Sequence, residues 1–358
     1  GQYVMVKMAV KPLSRLGNPY IVIALAYVIG QIINIFVPSA AGLAMLLIVA
    51  MYPILVRIGV TPAAAAAVIA TTACLDLGPA SGASNAAAEW IGVTPVEYFV
   101  AKQVPVSLIT IPVIAILHFF TQKYFDKKDA NLGKLAAQEE LKDLKEAPKI
   151  YAILPLLPLI LLIVFSKFVI SSVKMDVVTA MIISTLTAML FEIVRKRDFK
   201  TISKDIMIFF KGMGDLFGSV VSLIICAEVF AQGFIVNGGV DKMISAGQGL
   251  GLPVFFIMLI MVALIAFSAI VTGSGNASFY AFGKLAPDIA TGLGIHASAL
   301  VLPMQLTAGI ARSMSPVAGV VIICAGAANL NPFDVVKRTF IPMLGGIISV
   351  ALAGWFFA

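Results

Sequence analysis

The chain has 358 residues, of which 60% are hydrophobic and only 12% are charged, and its formal net charge is +7. A soluble domain carries roughly 25% charged residues, so this composition excludes soluble enzymes, secreted disulfide scaffolds and disordered chains. Basic residues that flank membrane spans on the cytoplasmic side explain the positive charge, so we expect no nucleic acid partner. The sequence therefore predicts an all-α polytopic membrane protein embedded in a lipid bilayer.

The chain contains two long runs without charged residues. Leu16–Val56 and Met243–Gly283 each extend 41 residues, about twice the roughly 20 residues that one crossing needs. Gly, Pro and Ser residues interrupt both runs in the middle, where non-helical backbone is tolerated only beside protein or a water-filled cavity. We therefore predict two re-entrant helical hairpins. Each is followed by a span that polar residues break, near Pro62–Trp90 and near His296–Asn329.

Ordinary spans are predicted over five apolar stretches, namely Gln103–Gln122, Ile150–Val169, Val177–Ile193, Met213–Val236 and Arg338–Phe357. The linker Lys123–Lys149 carries charges of both signs, and we expect it to form a solvated connector. Basic residues outnumber acidic ones in Arg195–Lys211. Because one pair of spans separates these two loops, both are assigned to the cytoplasmic face.

Prolines recur in the same order in the two halves of the chain. Pro19 and Pro253 are 234 residues apart, and Pro105 and Pro342 are 237 residues apart. The two copies start from opposite faces of the membrane, as in the inverted-topology repeats of secondary transporters. Because the block before the second copy has no counterpart before the first, we also expect further spans upstream of Gly1.

This repeat divides the chain into a predicted transport domain and a predicted scaffold. Residues 1–102 and 237–337 are the two inverted repeats, each with a hairpin and a broken helix, and they form the transport domain. The scaffold consists of the spans in 103–236, which include the charged linker 123–149, and of the C-terminal span 338–358.

Small and hydroxylic residues occupy the predicted hairpin tips. The second arm of each hairpin starts near the middle of the membrane with unpaired N–H groups and the positive end of the helix dipole. Such a helix start binds anions. The candidate substrate-binding residues at the tips are Ser39, Ala40, Gly42, Thr272, Ser274, Gly275 and Asn276.

The two broken helices supply further candidates. Pro79 and Pro316 each remove an N–H and disfavour helix in the preceding residue, so both helices are expected to unwind there. Unwound backbone exposes carbonyls to cations and N–H groups to anions. The candidate substrate-binding residues in these breaks are Ser81, Ser84, Asn85, Arg312, Ser313 and Ser315.

Ionisable side chains at membrane depth are rare, costly and mostly functional. Arg312 can grip a carboxylate with two N–H groups. Asp76 and Glu228 are the candidates for a coupling ion, either H⁺ or Na⁺, and no other cofactor or metal is expected. Two structural alternatives stay open, a plain ion pair between Asp76 and Arg312 and a helix contact for Glu228.

Five stretches resemble the anaerobic C4-dicarboxylate transporters of the DcuC type, within the wider ion-transporter superfamily. They are residues 35–45, 72–79, 273–282, 313–319 and 331–338. The resemblance implies uptake, exchange or efflux of fumarate, succinate, malate or aspartate across a bacterial inner membrane. It also implies a homodimer in which an elevator-like transport domain carries both hairpins. Ser39, Asn276 and Arg312 are assigned to substrate by motif position.

One alternative keeps the transporter class, and two belong to other classes of function. Within the same superfamily, the substrate can instead be an amino acid or a peptide-like anion. An intramembrane serine protease is suggested by Gly273-Ser274-Gly275 together with His296, because a Ser–His dyad activates a hydroxyl nucleophile. The protease does not explain the duplicated hairpins. An ion channel needs a selectivity ring, and no charged ring is visible in the sequence.

Overall fold

The computed structural model describes residues 1–128, 148–170, 172–173, 175–196, 207–208, 210–215, 217–239, 242, 245 and 253–357. In this part of the chain the regular structure is helical and contains no strand, which confirms the predicted all-α class. Most of the charged linker, residues 129–147, lies outside the described residues. So does the side chain of Glu228.

The first repeat folds into short, closely spaced helices. Proline at the start of several of them is tolerated because the first N–H groups of a helix have no partner within it. The helices are α1 (Gln2–Val10), α2 (Pro19–Asn34), α3 (Ala40–Ala50), α4 (Tyr52–Arg57), α5 (Pro62–Thr71) and α6 (Gly82–Trp90).

A long, continuous helical segment follows α6. It begins at α7 (Pro95–Glu97), where Thr94 and Glu97 form a reciprocal capping box, which satisfies two free N–H groups. π-Helical Tyr98–Gln103 then leads into α8 (Val104–Lys128). The predicted span over Gln103–Gln122 is confirmed within this segment.

The middle of the chain departs from the prediction at one span. The uninterrupted helix predicted over Ile150–Val169 is wrong, because Pro155 and Pro158 each remove a hydrogen-bond donor. A 3₁₀ helix leads there into a helix of only eight residues. The described helices of this region are 3₁₀ Lys149–Leu156, α9 (Leu157–Val164), α10 (Val177–Lys196), π-helical Phe217–Val221 and α11 (Ser222–Val236).

The helices of the second repeat and of the C-terminal span follow the same order as α2–α8. These are α12 (Val254–Thr272), α13 (Gly275–Gly283), α14 (Ala286–Gly292), α15 (Ser298–Arg312), α16 (Gly319–Ala327) and α17 (Pro332–Phe357). Turns at matching positions share a left-handed residue, since Gly59 has φ +95° and Gly294 has φ +69°. Gly92 (φ +74°) and Asn329 (φ +52°) form another such pair. The two segments thus share their order of helices and two left-handed turn positions, and the inverted repeat remains a prediction.

The centre of the molecule is formed by α5 and α15. All ten residues of α5 are buried, and so are Ser298–Ala311 of α15. Small side chains let neighbouring helices approach closely, and α5 contains a run of five alanines. Helices α8 and α17 pack against each other; α8 also packs on α2, and α17 on α5 and α15.

The outer surface of this bundle is apolar. On α10 the side chains of Val178, Ile182, Leu186, Leu190 and Val194 form an exposed stripe at helical spacing. Four helical segments in the described part of the chain are long and apolar enough to cross a membrane: Pro95–Lys128, Val177–Arg195, Val254–Thr272 and Pro332–Phe357. The protein is therefore an integral membrane protein.

Candidate functional site

The first broken helix unwinds where the sequence predicts. Helix α5 ends at Thr71, and the chain resumes as a helix only at Gly82. Asp76 adopts φ +49° and Gly78 adopts φ +100°, a conformation that residues with a side chain rarely occupy. The backbone carbonyl of Asp76 accepts hydrogen bonds from Ser84 Oγ (3.1 Å) and Gln305 Nε2 (3.4 Å). Neighbouring side chains thus fix the unwound backbone.

Polar side chains in the first break satisfy much of the exposed backbone. Ser81 caps α6 by accepting a hydrogen bond from the Ser84 N–H. Asn85 Nδ2 donates to the carbonyls of Pro79 (3.0 Å) and Ser81 (2.7 Å). These three predicted site residues therefore hold the break open in a defined shape.

The second broken helix is interrupted between Arg312 and Gly319. Ser313 Oγ donates to the Ala70 carbonyl at 3.2 Å, and Ser315 Oγ accepts from the Val317 N–H at 3.4 Å. Both serine side chains are buried. Here too, predicted site residues support the shape of the break.

The two broken helices contact each other at Gly309. A Cβ on Gly309 would lie 2.4 Å from the carbonyl oxygen of Cys74, so α15 can approach the first break only because Gly309 has no side chain. One turn further on, Arg312 Nη2 donates to the Ala73 carbonyl at 3.0 Å. The unwound ends of α5 and α15 are therefore in direct contact.

The turn between α12 and α13, the predicted tip of the second hairpin, packs against the contact between the two broken helices. Gly273 ends α12 at φ +71°, and a Cβ there would lie 2.9 Å from the Ala318 backbone N. A Cβ on the buried Gly275 would lie 2.6 Å from the Ala308 carbonyl oxygen. The tip thus lies against α15 and against the second break at once.

Two side chains of this tip form hydrogen bonds with nearby backbone, and a third has no hydrogen-bond partner among the described residues. Ser274 Oγ accepts from the Ala277 N–H (3.2 Å), and Thr272 Oγ1 donates to the Ser268 carbonyl (2.8 Å). The half-buried Asn276 makes no side-chain hydrogen bond within the described part of the chain. Its carboxamide is therefore available to a ligand.

The tip of the first hairpin contacts the first break through its backbone turn. A Cβ on Gly78 would lie 3.0 Å from Ile35 Cγ2. Ser39 is exposed, and its hydroxyl caps α3 by accepting from the Gly42 N–H at 3.1 Å. The predicted site residues Ser39, Ala40 and Gly42 therefore form a local cap, and no hydrogen bond among the described residues joins their side chains to the second tip.

Helix starts surround the crossing. α3, α6 and α13 begin at the tips or at the first break, and each is capped by a serine, whereas α16 begins after Ala318 without a side-chain cap. Free N–H groups and the dipole make each start favourable for negative charge. Because a Cβ on Gly273 would touch Ala318, the starts of α13 and α16 are neighbours.

Asp76 and Arg312 share this centre without forming a direct ion pair. Arg312 bonds a carbonyl instead, and no described carboxylate oxygen lies within 4.0 Å of its guanidinium. Its buried Nε has no hydrogen-bond partner. The Asp76 carboxylate lies beside the Ser81 hydroxyl and within electrostatic reach of Arg312. The structural ion-pair alternative is therefore wrong in this conformation.

Sequence reasoning missed a cluster of buried carboxamides. Gln103 Oε1 accepts from the Gly78 N–H (3.1 Å), and Gln103 Nε2 donates to Ser84 Oγ (2.9 Å) and Gln305 Oε1 (2.9 Å). Tyr98 donates to the same oxygen of Gln305. Glutamines inside apolar helices were the available signal, because a buried amide needs partners.

Sequence reasoning also missed Tyr280 as a site residue. A Cβ on Gly82 would lie 3.1 Å from the Tyr280 hydroxyl, which is close enough to the Asp76 carboxylate to interact with it electrostatically. The ring is buried, yet the hydroxyl has no hydrogen-bond partner among the described residues. This hydroxyl is a second unpartnered donor at the centre.

Ser274 and His296 do not form the Ser–His dyad that the protease alternative requires. His296 Nδ1 lies 2.7 Å from the Ser298 hydroxyl, while the Ser274 hydroxyl caps its own helix. The two predicted partners share no hydrogen bond. The Glu228 side chain lies outside the described residues, so its role stays a prediction.

Comparisons with known proteins agree with the resemblance found in the motifs. The model of the family described as C4-dicarboxylate anaerobic carrier matches residues 2–355. The "Anaerobic C4-dicarboxylate transporter DcuC" of Escherichia coli (strain K12) is 36% identical over 354 residues, which are 98% of this chain and 75% of that protein. The "Probable anaerobic C4-dicarboxylate transporter DcuC" of Vibrio cholerae is 37% identical over 351 residues, 98% of this chain and 76% of that protein. The chain belongs to the DcuC family of C4-dicarboxylate anaerobic carriers.

Proposed function

We propose that this protein is a secondary transporter of C4-dicarboxylates rather than an enzyme. The observation that carries the proposal is the contact between two broken helices at Gly309 and Cys74, with Arg312 beside it. Discontinuous helices are a common way for transporters to build a substrate site. Relatives in the same family are named for C4-dicarboxylates. A centre that combines a guanidinium with several helix starts suits such dianions.

Arg312 holds one substrate carboxylate in this proposal. Its Nη2 already donates to the Ala73 carbonyl, and its unpartnered Nε remains free to donate. The second carboxylate is received by N–H groups at the starts of α13 and α16, with the Asn276 carboxamide and the Tyr280 hydroxyl as further donors. Fumarate, succinate, malate and aspartate each carry two carboxylates and are the proposed substrates.

Coupling to an ion involves Asp76 in this proposal. Its side chain is largely buried beside the Ser81 hydroxyl, and a buried carboxylate is stabilised by a bound cation or by a proton. A dicarboxylate with both groups ionised carries two negative charges. One cation at Asp76 therefore leaves one charge of the substrate uncompensated during net uptake.

The two helix pairs α2–α3 and α12–α13 act as re-entrant hairpins of an elevator in this proposal. Because α17 packs on both broken helices and α8 packs on α17 and α2, both are proposed to move with the site, whereas the sequence division assigns them to the scaffold. The exposed apolar stripe of α10 faces lipid or a second copy of the chain. The protein is proposed to work as a homodimer in a bacterial inner membrane.

Counterflow in proteoliposomes tests the function. Vesicles are loaded with unlabelled succinate, labelled fumarate is offered outside, and malate, aspartate, glutamate and a dipeptide compete. We expect trans-stimulated uptake that the four-carbon diacids inhibit. Inhibition by glutamate or the dipeptide alone would favour the amino-acid or peptide alternative, and linear, non-saturating flux would indicate a channel.

Replacement of Arg312 tests the substrate site. Arg312→Lys keeps the positive charge but removes the planar fork of N–H donors. We expect the half-saturating concentration of fumarate in counterflow to rise at least about tenfold, equivalent to about 1.4 kcal/mol. The control is Arg57→Lys, an exposed position at the end of α4, which should behave like the wild type. Unchanged fumarate affinity in Arg312→Lys would remove Arg312 from the site.

A further inference from the structure

A buried chain of polar side chains runs beside the proposed site and has no role in it so far. It links the three helices α5, α8 and α17. Buried polar groups at membrane depth are expensive and are rarely kept for packing alone. Its members are Thr61, Thr71, His118, Gln122, Asp126 and Arg338.

The hydrogen bonds of this polar chain are continuous. His118 Nε2 lies 3.0 Å from Thr71 Oγ1, and His118 Nδ1 lies 3.4 Å from Gln122 Nε2. Gln122 Oε1 accepts from Arg338 at 3.3 Å, and Arg338 pairs with Asp126 at 2.6 Å. His118 and Gln122 are fully buried.

The two ends of the polar chain have different surroundings. Thr71 is the last residue of α5, two positions before Ala73, whose carbonyl binds Arg312. At the other end, Thr61 donates to Asp126, which is followed by the exposed Lys127 and Lys128. Thr61 is the N-cap of α5 and lies ten residues before Thr71, so the polar chain extends over about 15 Å. It joins the substrate centre to a charged rim.

The hydrogen-bond pattern assigns the proton on His118. The Thr71 hydroxyl donates to the Val68 carbonyl at 2.8 Å, so it accepts from His118 Nε2–H. His118 Nδ1 then has a free lone pair, which accepts from Gln122 Nε2. The Gln122 amide is oriented by Arg338, since its oxygen faces the guanidinium and its nitrogen donates to the Arg338 carbonyl at 3.0 Å. This assignment follows from the network.

A second proton on His118 would change a contact between helices. Protonated Nδ1 is a donor and faces the donor Nε2 of Gln122. Turning the Gln122 amide would present its oxygen to His118, but it would also bring two donors together at Arg338. Protonation therefore breaks the hydrogen bond between His118 and Gln122 within α8 or, if the amide turns, the hydrogen bonds of Gln122 to Arg338 on α17, while Asp126 continues to hold Arg338.

The other ionisable groups near His118 are few. The Tyr27 ring on α2 is 5.4 Å from the imidazole, and its hydroxyl contacts Cys74 Sγ at 3.3 Å. Arg338 faces His118 from α17 through Gln122, and Asp126 lies two turns along α8. Helix α5 contributes only alanine, valine, isoleucine, proline and threonine. His118 is thus the one imidazole in the described surroundings of the first break.

We propose that His118 is a proton-binding site that couples net dicarboxylate uptake to proton entry. This inference rests on the proposed transport function and supplies the second positive charge that Asp76 alone does not provide. When the substrate site faces the outside, neutral His118 takes one H⁺ from outside water onto Nδ1 and becomes an imidazolium ion. Release of that H⁺ on the Asp126 side, at the end of α8 that is assigned to the cytoplasmic face, reverses this single step, and no other bond forms or breaks. Gln122 and Arg338 are positioning residues.

The test compares exchange with proton-driven uptake for the intact protein in proteoliposomes. Counterflow of succinate against fumarate needs no net proton movement, whereas uptake driven by an inward proton gradient does. An internal pH dye reports the protons that enter per fumarate. We expect His118→Gln to keep counterflow within about twofold of the wild type. Its gradient-driven uptake should fall at least tenfold, and fumarate-dependent acidification should disappear.

Controls separate the possible failures. His296→Gln changes the chain's other histidine, which contacts Ser298 locally, and should keep both activities. Loss of counterflow in the wild type would refute the proposed function and this inference with it. Two outcomes would overturn this inference and leave the proposed function standing. The first is normal counterflow with unchanged acidification in His118→Gln. The second is acidification that Asp76→Asn loses and His118→Gln keeps.

A second variant covers the case in which His118→Gln does not fold. Gln122→Glu places a carboxylate beside Nδ1, which favours the imidazolium ion. Protonated His118 should then persist to higher pH, so the pH midpoint of gradient-driven uptake should move upward by about one unit or more. A folded Gln122→Glu protein with an unchanged midpoint would also overturn the inference.

Discussion

At the scale of single residues, substitutions of two buried tyrosines test ligand binding and stability separately. Tyr98 donates to Gln305 at 3.3 Å, whereas the Tyr280 hydroxyl, which interacts electrostatically with Asp76, has no hydrogen-bond partner among the described residues. Tyr280→Phe should therefore leave the thermal midpoint in detergent unchanged but raise the half-saturating fumarate concentration about tenfold, as expected for a lost hydrogen bond to a charged group.

The matched variant Tyr98→Phe should show the opposite pattern. It removes a buried hydrogen bond worth about 1 kcal/mol, so the midpoint should fall while fumarate affinity changes little. Counterflow at several fumarate concentrations and thermal unfolding measure both quantities on the same samples. Equal effects of the two variants on affinity would remove Tyr280 from the site.

At the scale of helices, the first break depends on Gly78 for two reasons. Its φ of +100° is strained for any other residue, and a Cβ there would lie 3.0 Å from Ile35. Gly59 offers a matched control, because it has φ +95° but nothing within 4 Å of a Cβ. Gly59→Ala should lower the free energy of unfolding by about 1–2 kcal/mol, the cost of a left-handed residue.

Gly78→Ala should cost more than Gly59→Ala and should also impair counterflow. The additional overpacking is about 1–3 kcal/mol, and it moves the first tip away from the break. Denaturation in mixed detergent compares the two variants. Equal losses of stability with normal counterflow in both would show that the contact with Ile35 is unimportant.

The outcome for individual elements shows what the sequence could predict. Both breaks were predictable because Pro79 and Pro316 act on their immediate neighbours. The helix over Ile150–Val169 was predicted from hydropathy alone, which ignores the local effect of two prolines. The carboxamide cluster was not predictable, because Gln103 and Gln305 are 202 residues apart and meet only through the crossing at Gly309. Local chemistry fixed the breaks, and tertiary packing brought their partners together.

At the scale of the whole molecule, the open question is which helices move with the site. The sequence placed the last span in the scaffold, yet α17 packs on α5 and α15. A Cβ on Gly354 of α17 would lie 3.4 Å from Pro303 Cβ on α15, close to the separation that a disulfide spans. The variant Pro303→Cys/Gly354→Cys, with the three native cysteines replaced by serine, can therefore cross-link these helices.

If α17 moves with the broken helices, the oxidised cross-linked protein should keep counterflow within about twofold of the same protein after reduction. A bond inside one rigid body does not oppose its movement, whereas a bond between a moving part and a fixed part stops the cycle. Single-cysteine variants treated with the same oxidant control for damage to the protein. Loss of counterflow that reduction restores would place α17 in the fixed part of the elevator, as the sequence division predicted, and would confine the moving part to the helices of the two repeats.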